Sequence, residues 1–180
     1  PEVLLVGDSA DAHAAASGLE QVDLHAFVTD RQRRRLAERL AGGGGATEPE
    51  TVGAVCLDAT GLLAAATSTG GLNGQRPGRV GDSPLIGAGT WADERVAVSC
   101  TGQGEAFIRA GAARLVAALV EQGQALKDAT EAAMTVVAQC GGDGGLIAVD
   151  AHGNVTTPRS TGAMPRGVWR GGKKPVTSVP

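Results

Sequence analysis

Residues 51–71 read TVGAVCLDATGLLAAATSTGG, and this stretch decides the fold class. Two β-prone runs, Val52 to Leu57 and Leu62 to Thr67, flank the Gly-containing turn Asp58-Ala-Thr-Gly61, a spacing that predicts a β-hairpin. Downstream, a loop rich in Gly and Pro (70–89) leads to an expected strand at Val96 to Ser99 and an expected helix from Glu105 to Glu121. In that helix Phe107, Ile108, Leu115, Val116 and Leu119 recur at helical spacing and mark one buried face. A second helix is expected over Leu126 to Ala138. The glycine cluster Gly141 to Gly145 precedes an apolar strand, Leu146 to Val149, and a return strand, Val155-Thr156. The Gly/Pro/Lys-rich tail after Gly171 is expected to be disordered.

Upstream of the hairpin, Val3 to Gly7 predicts a short strand, followed by a helix capped at Asp8-Ser9 and running to about Leu19. A second helix, capped at Thr29-Asp30, runs to about Leu40 and carries Arg31, Arg33, Arg34 and Arg35 as a solvated face. Ala41 to Glu50, with four successive glycines, has the composition of an exposed linker. Sequential hairpins mixed with helices predict an α+β fold, not the alternating pattern of a doubly wound sheet.

Composition narrows the function classes. The 180 residues are 42% hydrophobic and 19% charged, with two Phe, two Trp and no Tyr, so the core is built from small and branched side chains. Sixteen Lys+Arg against nineteen Asp+Glu give a net charge of -3, without the basic excess that neutralises phosphates. Nucleic acid is excluded as an expected partner, and no apolar run is long enough to span a bilayer. The widely spaced Cys56, Cys100 and Cys140 predict buried thiols in a reducing compartment, the cytoplasm. His13, His25 and His152 share no ligand spacing with them, so no metal or other cofactor is expected. The glycines at 141–145 lack the lysine and the strand-to-helix fingerprint of a nucleotide loop.

Chemistry must then come from hydroxyls, and Thr51 stands where the linker meets the first strand. Alone, it is an ordinary strand-starting threonine. A backbone cut before it, however, places a hydroxyl and a free α-amine on one residue, and an α-amine with a pKa of about 7.7–8.0 can take the proton of the attacking hydroxyl.

Four motifs occur in order: Thr51-Val-Gly-Ala-Val55, Ala66-Thr-Ser-Thr-Gly-Gly71, Gly78-Arg-Val-Gly-Asp-Ser-Pro84 and Ser99-Cys-Thr-Gly-Gln-Gly-Glu105. Together they resemble the isoaspartyl peptidase/plant-type asparaginase family of N-terminal-nucleophile hydrolases, and the similarity extends from Val3 to about Gly167. The resemblance implies a four-layer αββα sandwich, of which the N-terminal part of the family fold is missing here. It implies one domain matured into two chains, 1–50 and 51–180, by autoproteolysis between Glu50 and Thr51, and an (αβ)2 homo-oligomer. Thr51 matches the nucleophile and Thr69 the threonine that orients it. Arg79 and Asp82 match the pair that holds the α-carboxylate and α-ammonium of an aspartyl group, as a guanidinium fork and a carboxylate are suited to do. Thr101 and Gly102 match the oxyanion hole, and Gly104 a position where a side chain would block the substrate.

This sequence departs from the family at three places. Glu50 stands where the family usually has glycine, a long section normally preceding Val3 is absent, and Pro158-Arg-Ser-Thr161 replaces an aromatic followed by Asn-Thr. The implied activity is hydrolysis of L-asparagine or of β-aspartyl dipeptides, both small-molecule substrates, through an acyl-threonine. The alternative is a truncated, non-catalytic member of the same family.

Overall fold

The computed structural model describes residues 2–42 and 51–179. Most of the expected linker, from position 43 on, and Glu50 lie outside the described residues. The chain divides into two compact units, Pro1–Thr47 and Glu48–Pro180.

In the first unit, α1 (Asp8–Ala16) is followed by a 3-10 turn (Leu24–Phe27) and α2 (Asp30–Leu40). The strand expected at Val3 to Gly7 is not formed; with no partner strand among the described residues, they stay irregular and exposed. Helix α1 stops short of Leu19, where Gly18 turns to φ +74°. The Thr29 cap of α2 is present, its hydroxyl accepting from the Gln32 N–H at 3.3 Å. Arg31, Arg33 and Arg34 are exposed, while Arg35 is half-buried.

The second unit is built in three layers. The hairpin β1 (Thr51–Leu57) and β2 (Leu63–Thr69) forms the first. Its turn is tied by Asp58, whose Oδ1 accepts from the Thr60 N–H and hydroxyl and the Leu62 N–H at 2.7–2.9 Å. Those bonds hold the Asp58 carboxyl below its ordinary pKa.

The middle layer is an antiparallel sheet in the order β3 (Thr90–Ala92), β4 (Val96–Gly102), β5 (Gly144–Asp150) and β6 (Val155–Thr156). Alternation along β4 sorts its side chains: Val96, Val98 and Cys100 face the helices, while Ala97 packs with Leu63 and Val149 on the hairpin side. On the helix side lie α3 (Gly104–Ala110), α4 (Ala112–Glu121) and α5 (Leu126–Gln139), whose Phe107, Val116, Ala133 and Val137 are fully buried against β4 and β5. Burying a Phe or Val side chain stabilises by about 1.5–3 kcal/mol, so this seam is the unit's main source of cohesion. The fold class is therefore α+β, as the sequence predicts.

Three expectations are corrected. The single helix expected over Glu105 to Glu121 is broken at Gly111, which takes φ +56°. The break lets the Ala113 and Arg114 N–H groups bond to the carbonyls of Ala88 and Gly87 at 3.2 and 2.8 Å. The buried face shifts accordingly: Ala112, Ala113 and Ala117 are fully buried, and Ile108 is 36% exposed. The tail after Gly171 is not wholly irregular, since β8 (Val176–Ser178) pairs antiparallel with β7 (Arg166–Val168). Cys100 is buried as expected and Cys140 half-buried, but Cys56 lies on the outward face of β1 and is exposed; all three are free thiols. Among the described residues no helix is long and apolar enough to cross a membrane.

Candidate active site

The hairpin register sets the site. Thr51 opens β1 and is paired directly with Thr69 at the end of β2, so the two hydroxyls face each other with Oγ1 atoms 3.4 Å apart. That separation is long for a hydroxyl pair, whose usual distance is about 2.7–2.8 Å. The Thr69 hydroxyl also accepts from the Gly71 N–H at 3.0 Å, which fixes it at the mouth of the following loop. Both runs extend past their expected ends, and it is this extension that brings Thr51 and Thr69 together.

Beneath the hairpin, a chain of hydroxyls holds β2 against the middle sheet. The Thr90 hydroxyl donates to Thr67, Thr67 bonds Ser99 at 2.7 Å, and Thr90 also reaches the Ser83 carbonyl at 3.1 Å. Ser99 is buried on β4 directly below Gly53, where an added Cβ would come within 2.2 Å of its hydroxyl oxygen. Glycine at 53 is thus what lets β1 lie this close to β4.

Thr51 shares a cleft of about 180 Å³ with Ser99 and Thr101. Thr101 pairs with Gly145, and Gly102 with Gly144, at the end of the β4–β5 ladder. Gly102 has φ +148°, and a Cβ there would lie 2.3 Å from the Asp143 carbonyl oxygen, so no other residue fits this corner.

Arg79, Asp82 and Gly104 form a second group. The Arg79 fork bonds Glu105 through Nε and Nη2 at 3.0 and 3.1 Å, and its Nη1 meets Gln75 Oε1 at 3.3 Å. The Arg79 hydrogen bond holds the Glu105 carboxyl below its ordinary value. Asp82 is 5% exposed, and its Oδ2 is buried with no hydrogen-bond partner among the described residues. Burial pushes its carboxyl up, against opposing backbone hydrogen bonds and the Arg79 charge. A Cβ on Gly104 would stand 2.9 Å from Asp82 Oδ1 and 3.0 Å from Arg79 Nη2, so glycine there keeps the space above the pair open. Arg79 and Thr69 line a common cleft, and the Thr51–Thr69 contact joins it to the cleft of Thr101.

Seven of the eight candidate residues therefore fall in these two adjoining groups. The eighth, Glu50, lies outside the described residues. The sequence reading assigned no role to Ser99 or Glu105, although both stand inside the fourth motif. Chemically, the arrangement offers two facing hydroxyls, a third hydroxyl in the same cleft, and a cation beside a buried, unpartnered carboxylate oxygen.

The sequence model of the family described as asparaginase matches residues 1–179. An isoaspartyl peptidase of Escherichia coli (strain K12) is 47% identical over 99% of this chain and 60% of its own length. Isoaspartyl peptidase/L-asparaginase of Mus musculus is 40% identical over 96% of this chain and 55% of its own, and that of Homo sapiens 37% over 96% and 58%. The chain thus spans less than two thirds of the length of these relatives.

Proposed function

The chain belongs to the asparaginase family, and we propose that it is an amidohydrolase whose nucleophile is Thr51, acting on L-asparagine, on β-aspartyl dipeptides or on both. The observation that carries this reading is the pairing of Thr51 with Thr69 at the open end of the hairpin, with Thr51 in a cleft it shares with Thr101. Autoproteolysis between Glu50 and Thr51 would yield chains 1–50 and 51–180, and the free α-amine of Thr51 would serve as base. Thr51 Oγ1 attacks the side-chain carbonyl carbon while its proton passes to that amine. Thr69 holds the nucleophile's oxygen in place, and the Thr101 hydroxyl and Gly102 N–H receive the negative charge that develops on the carbonyl oxygen. Collapse expels ammonia from asparagine, or the amino acid from a β-aspartyl dipeptide, with the proton returned by the amine. Water then hydrolyses the acyl-threonine ester and releases aspartate.

Arg79 and Asp82 would hold the α-carboxylate and α-ammonium of the aspartyl group. Glu105 fixes one edge of the guanidinium, so a substrate carboxylate would enter at the edge that meets Gln75. The α-ammonium would pair with Asp82 Oδ1, the oxygen that faces the space Gly104 leaves open, while Oδ2 lies buried against Gly89. The hairpin, sheet and helix layers of residues 51–179 would be three layers of an αββα sandwich, with further parts of the family fold outside this chain. The mature enzyme would be an (αβ)2 homo-oligomer.

Thr51→Ala is expected to abolish both processing and hydrolysis, because one hydroxyl attacks in each. Gel analysis together with release of ammonia from asparagine and of aspartate from a β-aspartyl dipeptide provides the test. Processing at the wild-type rate in the variant would remove Thr51 from the mechanism. A wild-type chain that stays intact and turns over neither substrate would favour the truncated, non-catalytic alternative.

A further inference from the structure

The cleft that holds Thr51 and Thr101 has a third wall with no place in the mechanism above. Met164, Pro165 and Arg166 close it from the strand β7 side, opposite Ile147 of β5. Met164 is buried over Gly145, where an added Cβ would lie 2.6 Å from its sulfur, so the start of β7 is anchored on the sheet. Two residues on, Arg166 is half-buried and donates through Nη1 to the Met164 carbonyl at 3.2 Å. Among the described residues no carboxylate pairs with it, whereas Arg79 and Arg114 each have one and Arg95 has two. A half-buried guanidinium left with one neutral acceptor keeps most of its five donors for a ligand.

The two substrates of the proposed reaction differ by one charge on the leaving side. Asparagine has a single carboxylate, which Arg79 would take. A β-aspartyl dipeptide has a second, on the amino acid that leaves, and that end must extend away from Arg79 past Thr51. Arg79 and Arg166 stand in the two different clefts that meet at the Thr51–Thr69 contact. Ile147, Met164 and Pro165 give the Arg166 cleft an apolar wall.

The geometry points to Arg166 as a specificity-determining residue that binds the C-terminal carboxylate of the leaving amino acid, selecting β-aspartyl dipeptides with an apolar second residue. This rests on the proposed function for the identity of the reaction, but the subsite itself is read from the charge and the cleft. A cation matched to the second carboxylate lowers the KM of the dipeptide and offers nothing equivalent to asparagine, so it acts on the choice between substrates.

The test compares β-aspartyl-leucine with β-aspartyl-leucinamide, which differ only in that carboxylate, on the full chain. The wild-type protein is expected to show a KM for the acid at least about tenfold below that for the amide, the scale of one charge-assisted pair. In Arg166→Gln the ratio should collapse to about one, and in Arg166→Lys it should fall between the two. If Arg166 merely braces β7 through the Met164 carbonyl, the variants shift both ligands together and the wild-type ratio is near one, which overturns the assignment. If neither compound is hydrolysed, the proposed function fails, and calorimetric titration of the same two compounds still reads the subsite. A tenfold preference for the acid then supports it, and equal binding or none overturns it. The wild-type comparison needs no variant, so a poorly folding substitution does not blunt the test.

Discussion

Asp82 combines a stability cost with a proposed role in substrate binding. Its carboxyl is buried, its Oδ2 has no hydrogen-bond partner among the described residues, and desolvation raises its pKa above the ordinary 3.8. Below about 3.8 the group is protonated in both the folded and the unfolded chain and contributes nothing to stability. As pH rises through the raised folded value, keeping the group ionised in the fold costs free energy, and the cost is fully present at neutral pH. Asp82→Asn is therefore expected to raise Tm at pH 7, with the gain fading as pH falls through the raised folded value and gone below about 3.8. The same variant should raise the KM for asparagine at least about tenfold, since a neutral amide oxygen accepts from the substrate's ammonium without the charge that strengthens the pair. Calorimetric melts from pH 3 to 7 together with steady-state assays check both halves; a lower Tm at pH 7 would mean that the carboxylate is held by interactions stronger than its desolvation.

At the level of elements, the join between hairpin and sheet depends on Gly53. A methyl group there would lie 2.2 Å from the Ser99 hydroxyl oxygen and 3.0 Å from Ser99 Cβ, so Gly53→Ala must push β1 away from β4. The expected loss is about 1–3 kcal/mol, seen as a lower denaturation midpoint, with a fall in turnover because Thr51 is two residues away. Adding Ser99→Ala removes the nearer clash and should return part of the stability, a coupling that a double-mutant cycle reads directly. Simple additivity of the two changes would contradict this account of the contact.

The same hairpin shows what the sequence could reveal. Two β-prone runs around an Asp-to-Gly turn are a local signal, and the hairpin formed where expected. Its outer ends were not legible, because Thr51, Ser68 and Thr69 are polar and lie outside the apolar runs that mark the strands, yet the pairing of Thr51 with Thr69 makes the candidate site. The break at Gly111 was hidden for a different reason. Helical periodicity continues across it, and its cause is a pair of carbonyls, on Gly87 and Ala88, from a loop more than twenty residues earlier. Glu105 and Ser99 were visible as letters of a motif, but their partners, Arg79 and Thr67, are set by tertiary packing that no spacing encodes. Arg166 has no local signal at all; only the placement of β7 beside β5 puts it in the cleft.

For the whole molecule, the central claim is that residues 51–180 become an amidase only when Thr51 is a chain start. Before the cut its nitrogen is an amide, with no lone pair basic enough to accept a proton near neutral pH, so the hydroxyl has no base. In the proposed maturation, Thr51 Oγ1 attacks the Glu50 carbonyl, the peptide C–N bond breaks with its nitrogen taking a proton, and water hydrolyses the resulting ester to free the amine. The measurement that bears on this most directly is amidase activity followed against the fraction of chain cleaved, starting from isolated precursor, with the new terminus read by mass spectrometry. The account predicts no activity at zero cleavage, activity rising in proportion to it, and Thr51 as the first residue of the new chain. Full activity in the uncleaved protein, or activity that follows a cut at any other residue, would contradict it.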